Sequence, residues 1–213
     1  DALNGTELPA LTDVSANSGD LTAQAVLPRA PCYIYYIQNN PNSTTQPWQV
    51  YRYDQSSDTR LKIYGGTREI QAVAGSVDGN IAVISMRQTA SVTSDFELYR
   101  LIVSPKTTQL LTNNAVDDTN VSMSADALKV VWEQPVAGLA TVFIRSYTSA
   151  TVTSGFTESS LTNTLPQRQP SVSGNGQFIT FVRDLSNNTD RVYRFDCSTS
   201  AYLSVFSSTG TDT

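Results

Sequence analysis

The residues that most often carry enzymatic chemistry are scarce in this chain. It has no histidine among 213 residues, which excludes Ser-His-Asp and Cys-His nucleophile systems and removes the commonest metal ligand. A serine-lysine pair is the remaining simple nucleophile, and the one place where the two are adjacent in sequence is Ser104-Pro105-Lys106. That triplet is more typical of a solvated turn between strands. The sequence therefore predicts a protein without catalytic activity.

Oxygen donors cluster around Asp117 and Asp118. Asn113, Asn114 and Asn120 lie nearby, and carboxylate and amide oxygens are ligands that calcium prefers. The spacing does not match the Dx[DN]x[DN]G pattern of a calcium-binding loop. We interpret the cluster as a polar loop between structural units and expect no resident metal or other cofactor, with calcium as the alternative.

The two cysteines, Cys32 and Cys197, are 165 residues apart and do not have metal-site spacing. Two readings stay open, a pair of buried thiols and a disulfide that links the two ends of the chain. A disulfide would require the first and last structural units to be neighbours, because Cα atoms more than about 7 Å apart cannot be bridged without distortion.

Composition limits the partners and the compartment. The net charge is −5 with a pI near 4.6, so the chain is repelled by phosphate backbones and nucleic acid is not an expected partner. There is no apolar run long enough for a transmembrane helix. The surface is predicted to be rich in Ser, Thr and Asn and poor in Lys. We therefore expect a periplasmic, cell-surface or secreted protein whose signal peptide has been removed.

A hairpin motif is repeated along the chain. Aligning the serine before each turn gives Ser76, Ser124 and Ser173, which are 48 and 49 residues apart. Each serine precedes a turn triplet (VDG, ADA and GNG), and Asp-Gly and Asn-Gly tolerate the positive φ of tight turns. A strand of alternating character follows each turn, namely IAVISM, KVVWEQ and QFITFV. The pattern predicts three equivalent hairpins.

A second repeated block follows each hairpin and extends the pattern to a fourth copy. It places an aromatic residue at Tyr51, Tyr99, Phe143 and Tyr193, and arginine follows the aromatic at Arg52, Arg100 and Arg194. Four repeats result, at 21–66, 67–114, 115–163 and 164–209, after an N-terminal extension at 1–20. Each repeat has four strand-like runs and no helical period.

A four-stranded unit repeated every 40 to 50 residues is typical of a β-propeller blade. We predict an all-β protein in which residues 21–213 form one propeller domain of about four four-stranded antiparallel blades. The strand before the turn should be innermost and the Tyr-Arg strand third. The ring is a closed small ring, a partial propeller, or a half-ring completed by another copy.

The stretch PSVSGNGQFITF (170–181) is similar to the repeat of the TolB-type, WD-repeat-like β-propeller family. Asp118 and the following VSMSAD resemble the longer form of that repeat, and LLTNN (110–114) resembles the Leu-Thr that closes such blades. Only one repeat retains the proline, Pro170, and none retains Ser-Pro. The family includes periplasmic scaffold proteins, surface proteins and propeller domains of peptidases, so the resemblance implies a blade type and no single function.

The loops that lead from an outermost strand to the next innermost strand should ring one mouth of the propeller channel. As binding candidates they supply Arg68, Glu69, Asp117, Asp118, Gln167 and Arg168. Trp48, in a hairpin insertion, is a candidate contact anchor, although packing over the blade edge is the favoured role.

We predict a non-catalytic exported module for protein-protein interaction or for envelope or surface assembly, with a protein partner or self-assembly. The alternative is a carbohydrate-binding or glycan-processing propeller. The Asp-box of sialidase-like propellers is only partly matched by SVDGNIAV, which has its glycine one position early and lacks the aromatic.

Overall fold

The fold was obtained as a computed structural model, which describes residues 21–25, 33–150, 155–161, 164–185 and 189–205. Within these ranges the chain forms sixteen strands and no helix. The strands make four separate antiparallel sheets of four strands each, and within every sheet the spatial order follows the sequence order. The prediction of an all-β propeller with four-stranded blades is confirmed. The N-terminal extension and the segment LPRAP (27–31) lie outside the described residues.

Each sheet is one blade, and its strands run from the innermost to the outermost. Blade 1 contains β1 (Leu21–Ala25), β2 (Tyr33–Asn39), β3 (Trp48–Asp54) and β4 (Thr59–Gly66). Blade 2 contains β5 (Ile70–Gly75), β6 (Ile81–Arg87), β7 (Phe96–Ile102) and β8 (Thr107–Leu110). Blade 3 contains β9 (Thr119–Met123), β10 (Lys129–Val136), β11 (Leu139–Tyr147) and β12 (Phe156–Ser160). Blade 4 contains β13 (Gln167–Val172), β14 (Phe178–Leu185), β15 (Thr189–Asp196) and β16 (Ala201–Ser204).

The repeated serine closes the turn between the first two strands of a blade. In blade 4, Ser173 Oγ donates to Asn175 Oδ1 (2.7 Å) and accepts from Phe178 N (2.9 Å), while Asn175 Oδ1 also accepts from Gln177 N (3.1 Å). The third turn residue, Gly176, has a φ of 68°, a value that favours glycine. Side-chain-to-backbone bonds of this kind fix the turn locally, without help from distant residues.

The other two turns repeat this arrangement. The same set of bonds links Ser76, Asp78, Asn80 and Ile81 in blade 2, and Ser124, Asp126, Leu128 and Lys129 in blade 3. The third turn residue has positive φ in both, at Gly79 (76°) and Ala127 (59°). The positive φ predicted for these turns is therefore present in all three blades.

Alternation along the strands gives each blade two faces. We call the face packed against the preceding blade the leading face, and the face packed against the next blade the trailing face. On β6, Ala82 and Ile84 point to the leading face and pack with blade 1, whereas Ile81 and Val83 point to the trailing face and pack with blade 3. Both faces of blade 2 are thus apolar and buried.

Three apolar clusters fill the gaps between successive blades, and they form the core. The first lies between blades 1 and 2 and includes Tyr35, Val50 and Ile84. The second lies between blades 2 and 3 and is centred on Trp132, and the third lies between blades 3 and 4 around Phe181. A lone blade could not bury these faces, so the blades stabilise one another by stacking.

The inner turns are also joined from blade to blade by main-chain hydrogen bonds. Val77 N of blade 2 donates to Ala125 O of blade 3 (2.9 Å), and Ala125 N donates to Gly174 O of blade 4 (2.9 Å). Over the described residues the four sheets do not close into a ring. The row of stacked blades therefore has two ends, the leading face of blade 1 and the trailing face of blade 4.

Candidate interaction surface

Four of the six predicted mouth residues lie as expected between an outermost strand and the next innermost strand, whereas Gln167 and Arg168 belong to the innermost strand β13 itself. Arg68 and Glu69 fall between β4 and β5, Asp117 and Asp118 between β8 and β9, and Gln167 and Arg168 open β13. Among the described residues, no hydrogen bond or ion pair joins a mouth residue of one loop to a mouth residue of another loop. Each pair instead contacts the blades beside it, and a binding role for these six residues stays a prediction.

Three charged mouth residues are held by neighbouring side chains. Arg68 lies over the Tyr99 ring, 4.6 Å from its centroid, and Nη1 donates to Tyr99 Oη at 2.9 Å. Glu69 Oε2 accepts from Arg87 Nε at 2.6 Å. Arg168 Nη2 donates to Asp184 Oδ1 at 2.5 Å, across the first two strands of blade 4. In these contacts the charged groups of the three residues already have partners within the chain.

Gln167 points into the protein, away from the predicted mouth. The side chain is 1% exposed, and Oε1 accepts a hydrogen bond from Val142 N at 3.3 Å in blade 3. Nε2 is buried without a hydrogen-bond partner among the described residues. The role that the structure supports for Gln167 is a contact between blades 3 and 4.

Asp117 and Asp118 are adjacent in sequence but lie in opposite environments. Asp117 is exposed, and Oδ1 accepts from Phe96 N at 2.9 Å. Asp118 is fully buried, and its Oδ1 and Oδ2 accept from Trp132 Nε1 and from Asn114 Nδ2, both at 3.0 Å. Ser85 Oγ also donates to the Asp118 carbonyl oxygen at 2.6 Å. Asp118 therefore links blades 2 and 3 from inside.

The environment of the Asp118 carboxyl favours its protonated form. Burial, with a smaller contribution from the nearby Glu97, raises the pKa of Asp118 to about 7, although hydrogen bonds from Thr112, Asn114 and Trp132 act in the opposite direction. The carboxyl is thus poised to gain or lose a proton near neutral pH.

Glu97 is a buried acid that the sequence analysis did not identify. It lies on β7 with 0% exposure, and Oε1 accepts from Asn114 N at 2.7 Å. Oε2 is buried and has no hydrogen-bond partner among the described residues. The sequence does place an acid two residues before the repeated Tyr99. Strand alternation alone, however, does not show that the side chain at this position is buried.

The calcium alternative depended on the oxygens around Asp117 and Asp118 converging. In the described part of the chain, no three His, Cys, Asp or Glu side chains lie close enough together to hold a metal ion. Asn120 Nδ2 donates to Glu133 Oε2 at 2.8 Å, and Asn114 Oδ1 accepts from Val116 N at 2.9 Å. Of the candidate oxygen ligands, Asn114 Oδ1 is thus engaged within the chain, and calcium binding stays an untested prediction.

Trp48 and Cys197 both lie against the core. Trp48 opens β3, is partly buried and packs beside the first apolar cluster, the packing role that the sequence favoured. Cys197 is partly buried beside the third cluster, and its thiol has no disulfide partner among the described residues. Cys32 lies outside those residues, so the pairing of the two cysteines stays a prediction.

The trailing face of blade 4 is the most distinctive surface of the described chain. At the central trailing position of the second strand, Tyr35, Val83 and Val131 of blades 1 to 3 are each 0% exposed. The equivalent residue of blade 4 is Thr180, which is exposed. In the described part of the chain no further blade covers this face, because the row of blades ends here.

Apolar side chains extend this surface toward the outer edge of blade 4. Val182 and Val192 pair across β14 and β15 and are partly buried, while Leu203 on β16 is 54% exposed. β16 is also an edge strand, with a sheet neighbour on one side only. We call Thr180, Val182, Val192, Arg194 and Leu203 together the open blade face.

Arg194 in the open blade face repeats the geometry of an arginine that joins two blades. Arg52 of blade 1 stacks on Tyr33, 4.5 Å from the ring centroid, and donates a hydrogen bond to the carbonyl oxygen of Gly79 in blade 2. Arg194 occupies the equivalent position and stacks on Phe178 at 4.6 Å. Its Nε is buried without a hydrogen-bond partner among the described residues. The sequence repeat identified these arginines but not their function.

Comparisons by sequence gave no match, neither to a protein-family model nor to a curated protein. Within the described ranges there is no helix that is long and apolar enough to cross a bilayer.

Comparisons by structure gave clear similarity. TolB from Acinetobacter baumannii superposes with a TM-score of 0.66 at 19% identity, over 87% of this chain and 43% of that chain. A putative TolB from Agrobacterium tumefaciens gives 0.59 at 18% identity, over 82% of this chain and 58% of that one. The β-propeller domain of the Trilobed protease from Pyrococcus furiosus is described as having an open velcro topology. It superposes with a TM-score of 0.52 at 11% identity, over 87% of this chain and 57% of that chain.

The chain thus spans about half the length of the solved structures that it resembles. Identities below 20% establish a shared fold and leave activity open, and one of these propellers belongs to a protease. The stacked four-stranded blades, the Ser-closed inner turns and these superpositions agree with the resemblance drawn from the repeats. This chain has the fold of a TolB-type β-propeller.

Proposed function

We propose that the chain is a non-catalytic, exported propeller module that acts by protein-protein contact in envelope or surface assembly. The observation that carries the proposal is the open blade face, where Thr180 and Leu203 are exposed although the positions equivalent to Thr180 are fully buried in the three preceding blades. Exposed apolar sheet faces and unpaired edge strands are the surfaces on which proteins dock.

The energetic argument follows from the interfaces inside the chain. Between blades 3 and 4, Val131, Val142 and Ile144 are buried by apolar residues of the next blade. Burial of apolar area contributes about 25 cal/mol per Å². On the open blade face, Val182, Val192 and Leu203 would gain the same kind of contact from a partner protein that covers them. A partner is therefore favoured thermodynamically at this end of the row.

Several features support a role without catalysis. The chain has no histidine. The charged mouth residues Glu69 and Arg168 are engaged in ion pairs with Arg87 and Asp184. The acids with the most unusual environment, Asp118 and Glu97, are enclosed between blades 2 and 3, where a substrate would not reach them.

Export and an envelope role rest on composition and on the fold. The chain is acidic, with a formal net charge of −5, and its sequence is rich in Ser, Thr and Asn. The resemblance to TolB-type propellers, a family with periplasmic scaffold members, points in the same direction. We accordingly place the protein in the periplasm, on the cell surface or among secreted proteins, and fractionation of the source cells tests this assignment directly.

Site-specific photo-crosslinking tests the proposed contact. A benzophenone amino acid is introduced at position 180, in the open blade face, and separately at position 108. Thr108 is the matched control, because it is also an exposed threonine on a β-strand, but it lies on the outermost strand of blade 2. Each variant is irradiated alone and after mixing with an envelope fraction of the source cells, and the products are identified by mass spectrometry.

We expect protein adducts from position 180 and few or none from position 108. Equal adduct yields at the two positions would remove the support for the open blade face as a contact surface. Saturable binding of a defined oligosaccharide, together with no adducts at position 180, would favour the carbohydrate-binding alternative instead.

A further inference from the structure

We propose that three side chains on the leading face of blade 4, those of Gln167, Arg183 and Arg191, form a binding site for a small soluble phosphate. We call these three residues the arginine row. The inference goes beyond the proposed function and does not depend on the open blade face, because the two surfaces lie on opposite faces of the blade. The arginine row faces the gap between blades 3 and 4.

Strand pairing places the three side chains next to one another. Gln167 on β13 lies opposite Arg183 on β14, and Arg183 lies opposite Arg191 on β15. Residues that are directly opposite share a face of the sheet, with Cβ atoms about 4.5–5.5 Å apart. That face is the leading one, since Phe181 and Tyr193, two residues away on the same strands, pack in the third cluster against blade 3.

The two arginines of the row lack a counter-charge. In the described part of the chain neither Arg183 nor Arg191 takes part in an ion pair, and Nε of each is buried without a hydrogen-bond partner. The adjacent acids, Asp184 and Asp190, point to the trailing face, where Arg168 is within ion-pair distance of both. Like charges directly opposite each other destabilise a sheet, so a bound anion would offset a repulsion.

The sequence offers no acid in the short internal segments that lie outside the described residues. These segments contain neither Asp nor Glu, at 151–154, 162–163 and 186–188. The last of them connects β14 to β15, the two strands that carry the arginines. The counter-charge for the pair is therefore not supplied by the connection beside it.

Gln167 adds a buried hydrogen-bond donor to the same row. Its side chain is 1% exposed, and Oε1 accepts from Val142 N, which fixes the amide orientation and leaves Nε2 as the donor. Nε2 is buried and has no hydrogen-bond partner among the described residues. A buried donor without a partner is destabilising, and an oxyanion beside Arg183 would satisfy it.

Aromatic rings hold the Arg183 guanidinium in place. The guanidinium carbon lies 4.3 Å from the centroid of the Tyr193 ring and 5.4 Å from that of Tyr202. Stacking uses the faces of the guanidinium plane, whereas its N–H groups lie in the plane and can still donate. Arg183 and Arg191 are both partly exposed, so a solute can reach them.

The arginine row is specific to blade 4. The equivalent cross-strand pairs of the other three blades carry one charge or none, namely Gln38–Gln49, Met86–Glu97 and Gln134–Thr141. In blade 3 the position of Gln167 is held by an acid, Asp118. Blades of this chain thus stack without two arginines at this place, and a ligand gives the pair a function.

Charge and donor number favour phosphate over a carboxylate. Two guanidinium groups match the two negative charges of a phosphate dianion, and each planar fork can donate to a pair of its oxygens. The net charge of −5 disfavours polyanions and anionic membranes as the source of the phosphate. The buried Nε atoms and the enclosed Gln167 amide form a recess that suits a small ligand.

Isothermal titration calorimetry with inorganic phosphate at constant ionic strength tests the site, with acetate as the comparison anion. We expect one saturable phosphate site on the unmodified protein. Arg191→Gln should weaken phosphate binding about 10- to 100-fold, the effect of losing hydrogen bonds to a charged group. Arg60→Gln is the matched control, because it removes the same charge from an exposed arginine on the outermost strand of blade 1. It should bind phosphate as tightly as the unmodified protein.

Gln167→Glu gives a second, independent test. Its carboxylate can still accept from Val142 N, and it supplies the missing negative charge beside Arg183. In phosphate-free buffer this variant should melt at a higher temperature than the unmodified protein, and so should Arg191→Gln, because each relieves the repulsion in the row. Added phosphate should raise the melting temperature of the unmodified protein and of neither variant.

An unmodified protein without saturable phosphate binding overturns this inference, and so does a phosphate affinity that Arg191→Gln leaves unchanged. Acetate binding as tight as phosphate binding overturns the choice of phosphate. Cosedimentation with vesicles that contain phosphatidic acid, absent with phosphatidylcholine vesicles and lost in Arg191→Gln, would overturn the soluble source and identify a lipid headgroup. None of these results affects the crosslinks from position 180, which decide the proposed function separately.

Discussion

The buried carboxyl of Asp118 predicts that this protein becomes more stable on mild acidification, and that Asp118→Asn removes the effect. An ordinary Asp titrates with a pKa of about 3.9, whereas burial, with a further contribution from Glu97, raises the pKa of Asp118 to about 7 in the fold. The folded state then holds more protons than the unfolded state at every pH between these values. Its free energy of unfolding therefore falls as the pH rises through the folded pKa.

The size of the effect follows from the same two pKa values. Between about pH 8 and about pH 5, a single group with pKa values of about 7 folded and 3.9 unfolded changes the free energy of unfolding by about 2–3 kcal/mol. The sign is opposite to ordinary acid destabilisation. Asp54 and Asp196 have lowered pKa values because they accept hydrogen bonds from Ser56 and Ser198, so their contribution is lost only at a lower pH.

Urea unfolding at the two pH values measures the effect. When the pH is lowered from about 8 to about 5, the unmodified protein should become about 2–3 kcal/mol more stable relative to Asp118→Asn. Asp117→Asn is the matched control, since it changes an exposed neighbouring carboxylate that can still accept from Phe96 N through the amide oxygen. This control should retain the pH dependence that Asp118 confers on the unmodified protein.

Trp132 gives an independent readout, because its indole Nε1 donates directly to the Asp118 carboxyl at 3.0 Å. In a Trp48→Phe background, its emission should change with a midpoint near pH 7, and Asp118→Asn should abolish the change. A pH-independent difference between the unmodified protein and Asp118→Asn, or a titration that survives in Asp118→Asn, would refute the assignment of this pKa to Asp118.

Two further predictions concern glycines, and thermal or urea unfolding measures both. Gly75→Ala should lower the free energy of unfolding by about 2–3 kcal/mol, because the new Cβ would lie 2.0 Å from the ring of Tyr35, which is fully buried between blades 1 and 2. A loss below the error of measurement would contradict this packing. Gly79→Ala should cost more than Gly176→Ala, although both have positive φ. At each position the left-handed backbone should destabilise the alanine variant by roughly 1–2 kcal/mol. Only the Gly79 Cβ would also clash, at 2.5 Å from the Tyr33 ring, whereas at Gly176 the nearest atom is 3.5 Å away. Equal losses at the two positions would show that this contact is absent.

The blades could be predicted from the sequence because their defining contacts are local. Ser173, Asn175 and Phe178 bond within six consecutive residues, and the same short pattern recurs at Ser76 and Ser124. Alternation then assigns side chains to two faces of a strand without knowledge of the remaining chain. The repeat length completed the argument for stacked four-stranded units.

The site was harder to predict, because its properties depend on residues far apart in the chain. Asp117 and Asp118 are neighbours of the same type, yet one is exposed and the other is enclosed by Trp132 and Glu97 from two different blades. Gln167 was predicted to line a channel mouth and instead lies buried against Val142. A sequence pattern specifies the type and order of side chains, but not which of them another blade will cover.

The sequence by itself determined the strands, the Ser-closed turns, the fourfold repeat and the blade type, since these follow from hydrogen bonds and periodicity over a few residues. Only the tertiary structure decided which faces are buried. Thr180 and Val83 occupy the same position in their repeats, but the following blade covers Val83 completely and no described blade covers Thr180. Burial is a property of the stacked assembly, and the surface left at its end is where we propose that the protein meets its partner.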